Sequence, residues 1–274
     1  MVQSDGVGTR PDGPAIAAPG SIEAGEPAVA IFDLDRTLLP GSSLALLARR
    51  AVAAGLVPRR SALRYVFDES LFRVRGSTDA QVRSVSERAL DLAAGVGVDD
   101  LRRHVDAAAA DAAGRLRPEA RRLLELHRGL DHRCIVLSAS PQLLVERIAE
   151  HLGVGTAVGT ELEVVDGALT GGTIGGLCYG SGKLHRLQEV VGDAFALTSH
   201  AYADSLSDLP VLERADHPVA VAPDAALRAE AERRRWPIVE GRRRRRVRIG
   251  GSSLARRIGR PGWSVSGRVP LPGR

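Results

Sequence analysis

Residues 28–38 read AVAIFDLDRTL. The unbroken apolar run at residues 28–32 is typical of a strand that is buried on both faces of a parallel sheet. Asp33 and Asp35 come directly after it, at the expected carboxyl end of that strand. Because ligands of open parallel sheets bind beyond the carboxyl ends of the strands, this stretch predicts both the fold class and the edge of the sheet that carries a site.

Strand and helix patterns alternate again after residue 115. Asp166-Gly167 predicts the turn of a hairpin over residues 161–170, and Ser140-Pro141 fits an N-cap and a first helical residue. The alternation predicts an α/β fold with a parallel central sheet. The predicted strands cover residues 134–137, 197–203, 218–221 and 237–239, and the predicted helices cover residues 118–128, 141–151, 183–191, 208–214 and 224–234.

The segment at residues 42–115 has helical periodicity and no strand pattern. We predict helices over residues 43–54, 59–72, 79–94 and 99–113, which makes this segment a small helical cap inserted into a core formed by residues 28–41 and 116–240. Residues 1–27 contain five glycines and four prolines, a composition that predicts a disordered leader.

Charge is distributed unevenly along the 274 residues. The net charge is +5, but residues 241–274 contain 11 arginines and no acidic residue, so residues 1–240 carry a net charge of −6. The arginine-rich tail predicts weak contacts with anionic membranes or nucleic acid, or else a disordered solubilising segment. An acidic body with 3% aromatic residues argues against a protein built to bind nucleic acid.

Several features favour a cytoplasmic protein. No apolar run approaches the roughly 20 residues that span a bilayer, and the first residues lack the pattern of a secretory signal. Two cysteines, Cys134 and Cys178, do not make a disulfide framework. The seven histidines show no metal-ligand spacing, so we interpret them as packing or surface residues.

Reactive residue types follow three of the predicted strands. They are Asp33 and Asp35 after the first, Ser138 after the second, and Asp204 with Asp208 after the third. The single lysine of the chain, Lys183, lies at a predicted helix start. Each has an alternative interpretation, as turn and cap chemistry for the aspartates, a loop serine for Ser138 and a surface charge for Lys183.

The combination points to phosphate chemistry. Carboxylates that converge at one sheet edge repel one another unless a hard cation joins them, and oxygen ligands of this kind suit Mg²⁺. A carboxylate can attack phosphorus, while a hydroxyl, a lysine and backbone N–H groups can hold the phosphoryl oxygens. The sequence therefore predicts a phosphotransfer site.

The motifs FDLDRTL (32–38), VLSAS (136–140), GSGK (180–183) and YADSLSD (202–208), in this order, resemble those of the haloacid dehalogenase (HAD) superfamily. More narrowly, the chain resembles the phosphoserine phosphatase-like subfamily IB. The resemblance covers residues 28–240 and implies a Rossmann-like core with a small helical cap of the C1 type between the first and second motifs.

The resemblance also implies a role for each motif residue. Asp33 is expected to be the nucleophile and Asp35 the general acid and base. Phosphate contacts are expected from Ser138, Ala139, Lys183 and the amides of Leu34 and Asp35. Ligation of Mg²⁺ is expected from Asp33, the carbonyl of Asp35, Asp204 and Asp208.

Three positions depart from the subfamily pattern. Arg36 replaces a serine, Ala203 replaces a glycine, and Ser42 replaces the glutamate that stands nine residues after the nucleophile in phosphoserine phosphatases. Without that glutamate, a substrate ammonium group has no evident partner. The expected substrate is therefore a small phosphorylated metabolite, and the sequence does not favour phosphoserine itself.

The leading hypothesis is a Mg²⁺-dependent phosphomonoester hydrolase that works through an aspartyl-phosphate. A phosphotransferase, which passes the phosphoryl group to an alcohol, and a non-catalytic regulatory protein on the same scaffold are the alternatives. We name no cap residue as a site residue, although Arg64, Arg73 and Arg75 are candidates for substrate contact.

Overall fold

A seven-stranded sheet forms the centre of the protein, whose computed structural model describes residues 27–57 and 88–241. The spatial order of the strands is β4-β3-β2-β1-β5-β6-β7. All pairs are parallel except β3 with β4, which are antiparallel. The strands are β1 (Ala28–Asp33), β2 (Arg133–Pro141), β3 (Thr156–Val165), β4 (Ala168–Ile174), β5 (Thr198–Ala203), β6 (His217–Val221) and β7 (Ile238–Val239).

Strand β1 lies in the middle of this sheet, as its apolar sequence predicts. Every residue of β1 is buried, and Phe32 is in register with Val136 of β2 and Tyr202 of β5. Since the three strands run parallel, their carboxyl ends meet at one edge of the sheet. The predicted fold class, α/β with a parallel central sheet, is confirmed.

Helices cover both faces of the sheet because alternate residues of β1 point to opposite sides. Ala30 and Phe32 belong to an apolar cluster with α1 to α4, while Val29 and Ile31 pack in a second cluster with α5 to α7. The helices are α1 (Ser43–Ala53), α2 (Val98–Ala113), α3 (Pro118–Gly129), α4 (Gln142–His151), α5 (Ser181–Val191), α6 (Leu209–Arg214) and α7 (Ala225–Arg234).

The predicted hairpin is present, with Asp166 and Gly167 at its turn. Both residues have positive φ, 49° and 77°, as the tight turn between twisted antiparallel strands requires. The hairpin adds β4 as an antiparallel strand at the edge of the parallel sheet.

The helices predicted in the cap segment are described in part. Those over residues 43–54 and 99–113 are present as α1 and α2, and residues 88–93 are helical. The predicted helix over 59–72, most of the one over 79–94, and the candidates Arg64, Arg73 and Arg75 lie outside the described residues. The backbone at Gly95 and Val96 bonds with Leu169 of β4, so this segment contacts the hairpin. The cap boundaries at 42 and 115 stay predictions.

The two terminal segments lie almost wholly outside the described residues. This applies to the predicted leader, of which only residue 27 is described, and to the arginine-rich tail beyond residue 241. Within residues 27–57 and 88–241, no helix is both long enough and apolar enough to cross a membrane.

Candidate active site

Carboxylates from the ends of β1 and β5 meet at the carboxyl edge of the sheet. One oxygen from each of Asp33, Asp204 and Asp208 lies within 4.8 Å of the others, and all three residues are buried. Asp208 precedes α6 but makes no capping bond with its side chain, so capping does not explain it. The predicted convergence of these aspartates is confirmed.

Lys183 binds this group of aspartates from the first turn of α5. Its Nζ lies 2.6 Å from Asp33 Oδ1 and also contacts Asp208 Oδ1. Lys183 is only 3% exposed, so the interpretation as a surface charge is wrong. We call Asp33, Asp204, Asp208 and Lys183 the carboxylate cluster.

Two glycines shape the loop that positions Lys183. Gly180 has a φ of 57°, in the left-handed region that favours glycine. A Cβ atom on Gly182 would lie 2.2 Å from the carbonyl oxygen of Leu177, which no side chain tolerates. The sequence GSG before the lysine therefore lets the first turn of α5 pack against the loop that precedes it, and Lys183 in that turn contacts Asp33.

The electrostatics of the carboxylate cluster favour a cation. Burial, followed by repulsion from Asp33, raises the pKa of Asp204 well above its usual value. Burial also raises the pKa of Asp208, although Lys183 opposes the shift. For Lys183 itself, burial lowers the pKa, but Asp208 and Asp33 outweigh it and the net shift is upward. Lys183, together with Arg36 beside Asp204, leaves the three buried carboxylates short of one positive charge, and such a donor set suits a hard divalent ion.

The turn at Leu34–Leu38 supplies two contacts that the sequence analysis did not anticipate. Thr37 Oγ1 donates to Asp33 Oδ2 at 2.6 Å and lies 3.3 Å from Asp204 Oδ1. Arg36 has a φ of 68°, and its Nε lies 3.3 Å from Asp204 Oδ2. The sequence does contain one signal for this contact, since Thr37 stands four residues after the strand-terminal Asp33.

Asp35 makes its hydrogen bonds outside the carboxylate cluster. Its Oδ1 accepts the backbone N–H of Ser43 at 2.6 Å, and its Oδ2 accepts the hydroxyl of Ser140 at 3.0 Å. Burial is the main cause that raises the pKa of Asp35 to about 6, and the negative charge of Asp33 adds to it. A carboxyl group with this pKa can both give and take a proton near neutral pH.

Ser140 corrects one sequence prediction. Helix α4 begins at Gln142 and Pro141 is its N-cap residue, so Ser140 is not the N-cap that the Ser-Pro pattern predicts. Ser140 instead lies in the extended end of β2, where the register with β3 is irregular. Its hydroxyl is thereby free to face Asp35, which makes Ser140 a site residue that the sequence analysis missed.

The other predicted phosphate-binding residues lie at the same edge of the sheet. Ser138 is buried, and its Oγ accepts the backbone N–H of Ser140 at 3.1 Å. Ala139 is exposed, and Thr160 fixes its carbonyl through a 2.8 Å bond. Leu34 is buried in the turn after β1. Phosphate contacts from these residues stay predictions.

Comparison with known proteins places the chain in a family. The family model of haloacid dehalogenase-like hydrolases matches residues 30–213. The chain belongs to this family. The resemblance seen in the four motifs is confirmed, as is the prediction that the chain is a hydrolase.

Curated relatives and a solved structure agree with this assignment. A probable phosphatase of Mycobacterium tuberculosis is 33% identical over 234 residues, or 84% of this chain and 79% of the relative. The phosphoserine phosphatase SerB1 of the same organism is 31% identical over 87% of this chain and 79% of its own length. A protein of unknown function from Bordetella pertussis matches in structure with a TM-score of 0.67 and 27% identity, over 78% and 98% of the two chains.

Proposed function

We propose that this HAD hydrolase is a Mg²⁺-dependent phosphatase that hydrolyses a small organic phosphomonoester through an aspartyl-phosphate at Asp33. The observation that carries the proposal is the environment of the Asp33 carboxylate. It is buried at the end of β1, bonded to Lys183 and Thr37, and adjacent to two further carboxylates. Relatives named as phosphatases support the same activity.

The carboxylate cluster fits the metal that this family implies. Asp33, Asp204 and Asp208 would hold Mg²⁺, as would the carbonyl of Asp35 by resemblance. When bound, the ion neutralises charge on the phosphoryl oxygens and on the carboxylates. The raised pKa values of Asp204 and Asp208 support this assignment.

In the first half of the reaction, an Asp33 oxygen attacks phosphorus. The bond from phosphorus to the ester oxygen breaks, and Asp35 gives its proton to the departing alcohol. Lys183 balances negative charge at Asp33 and the phosphoryl group, and Thr37 fixes the rotamer of Asp33. Ser138, Ala139 and the amides of Leu34 and Asp35 would hold the phosphoryl oxygens.

In the second half, water replaces the alcohol. Asp35, now a carboxylate, takes a proton from water as its oxygen attacks the phosphorus of the aspartyl-phosphate. The bond between phosphorus and Asp33 breaks, and inorganic phosphate leaves while Asp33 returns to its carboxylate form. The pKa of about 6 at Asp35 allows one group to serve both halves.

The described part of the site favours a substrate without a required ammonium group. Ser42 is the N-cap of α1, and its hydroxyl accepts the backbone N–H of Ala45 at 3.2 Å. Its side chain thus supports the helix and carries no charge to pair with an amine. We infer that the substrate is a small phosphorylated metabolite. The cytoplasmic location of the protein stays a prediction.

The test is release of phosphate from 4-nitrophenyl phosphate, phosphoserine, sugar phosphates and nucleotides by the full chain. We expect activity that requires Mg²⁺, stops with a chelator, and falls about 10³-fold or more in Asp33→Asn. Asp106→Asn, which alters an exposed carboxylate paired with Arg147, is the matched control and should keep full activity. Equal activity in Asp33→Asn and wild type would contradict the proposal.

A further inference from the structure

We propose that the hydroxyl groups of Ser43 and Ser140 form a positioning pair that holds the carboxyl group of Asp35 in line for proton transfer. The inference rests on the proposed function and adds two residues to it. Neither serine contacts the carboxylate cluster through a described hydrogen bond. Both act through Asp35 and are positioning residues.

The contacts are continuous between the three side chains. Ser140 Oγ donates to Asp35 Oδ2 at 3.0 Å, and Ser43 Oγ lies 2.8 Å from Ser140 Oγ. Because Ser140 gives its only proton to Asp35, Ser43 supplies the proton of the second bond. The backbone N–H of Ser43 holds the other oxygen, Asp35 Oδ1, at 2.6 Å. Both oxygens of Asp35 are therefore fixed.

Burial makes these bonds matter. Ser43 is 1% exposed and Ser140 is 3% exposed, so water has little access to replace a lost hydroxyl. A carboxyl group with an unbonded oxygen would rotate to find another partner, since an unsatisfied buried polar group is costly. Proton transfer is sensitive to this rotation because the donor must lie within hydrogen-bond reach of the leaving oxygen.

The pair also joins two distant parts of the chain. Ser43 is the first residue of α1, which begins the predicted cap segment, while Ser140 lies at the end of β2 in the core. The orientation of Asp35 thus depends on α1 keeping its place against the sheet. Substitution of either serine should weaken the same step.

The test compares two aryl phosphates of similar shape, phenyl phosphate and 4-nitrophenyl phosphate, through kcat/KM. Phenolate is the poorer leaving group and depends more on a proton from Asp35. We expect Ser140→Ala to lower kcat/KM about tenfold for phenyl phosphate and about twofold for 4-nitrophenyl phosphate. Ser43→Ala should shift the ratio of the two kcat/KM values in the same direction. In an Asp35→Asn background, neither Ser43→Ala nor Ser140→Ala should shift the ratio further.

Ser199→Ala is the matched control. It also removes a buried hydroxyl bonded to an aspartate, Asp216 at 2.8 Å, but at the opposite end of β5. We expect it to leave the ratio at the wild-type value. Equal losses on both esters in Ser140→Ala and Ser43→Ala would overturn the positioning role alone. A wild-type protein inactive on both esters would instead overturn the proposed function and this inference with it.

Discussion

Two buried polar clusters lie on the same strands of this protein and differ in charge. The carboxylate cluster gathers at the carboxyl ends of β1 and β5. On one face of the sheet a histidine cluster, defined as His127, His132 and His200, packs against Phe32 and Tyr202. Each strand therefore contributes to a neutral packing region and to a charged edge.

The histidine cluster is arranged for packing. His127 bonds to the Tyr202 hydroxyl at 2.7 Å and to His132 at 2.8 Å, and Tyr202 stacks on Phe32 with ring centroids 4.7 Å apart. Burial is the main cause that lowers the pKa of His127 to about 3 and of His200 to about 4. The cluster is neutral near pH 7, in agreement with the interpretation of these histidines as packing residues.

The carboxylate cluster, in contrast, holds charged groups in a buried position. It keeps three buried carboxylates together with Lys183 and the partly exposed Arg36, an arrangement that costs stability when no metal ion supplies the remaining positive charge. A protein has no structural reason to accumulate such charge, and sites that depart from stable packing are commonly functional. The contrast between the clusters indicates which end of the strands carries out chemistry.

The largest expected effect on stability comes from replacing Lys183, the lysine of the carboxylate cluster. Lys183→Met leaves Asp33 and Asp208 buried without their partner, and we expect the free energy of unfolding to fall by about 3–5 kcal/mol. The measurement is urea denaturation at pH 8 with a chelator. Arg228→Met, which breaks the half-exposed pair with Glu240, is the control and should cost about 1 kcal/mol or less. Similar losses in both variants would contradict the account of Lys183 as the partner of two buried carboxylates.

A smaller effect is the pH dependence of stability that we expect from the histidine cluster. The pKa values of His127 and His200 are lower in the folded protein than the usual value of about 6.5 in unfolded chains. Below pH 6.5 the unfolded state therefore binds more protons, so stability is full above that pH and is lost as pH falls. At pH 5.5, protonation of each of these two histidines in the unfolded state should lower the free energy of unfolding by about 1 kcal/mol.

His200→Leu tests this sign directly. Between pH 8 and pH 5.5, we expect the free energy of unfolding to fall by about 1 kcal/mol less in this variant than in wild type. Urea denaturation at both pH values measures the difference. His151→Leu, at an exposed histidine, should leave the pH dependence unchanged. A wild-type pH dependence in His200→Leu would contradict the neutral, buried state of this cluster.

The sequence predicted the carboxylate cluster better than its surroundings. Parallel strands bring their carboxyl ends to one edge, so the apolar run before Asp33 and the strand before Asp204 were sufficient to predict that their side chains converge. Burial of Lys183 depends on how closely α5 approaches β1. The GSG sequence permits the tight start of α5, but a local pattern does not specify how closely the helix approaches β1.

Hydroxyl groups were harder to predict because serine and threonine fit turns, caps and sites equally well. Ser140 carried a plausible capping signal, and only the extended course of β2 beyond Leu137 directs it to Asp35. Thr37 depends on the turn at Leu34–Leu38, where Arg36 adopts a positive φ. Those conformations arise from tertiary packing, which a local sequence pattern does not encode.

The most direct test of the central claim is to trap the intermediate. The full chain would be mixed with 4-nitrophenyl phosphate and Mg²⁺, quenched in acid, treated with borohydride, and digested for mass spectrometry. We predict that reduction of the aspartyl-phosphate converts Asp33 to homoserine, and that this product requires both substrate and Mg²⁺. Modification at another aspartate, or a released product with no modified residue under single-turnover conditions, would contradict Asp33 as the nucleophile.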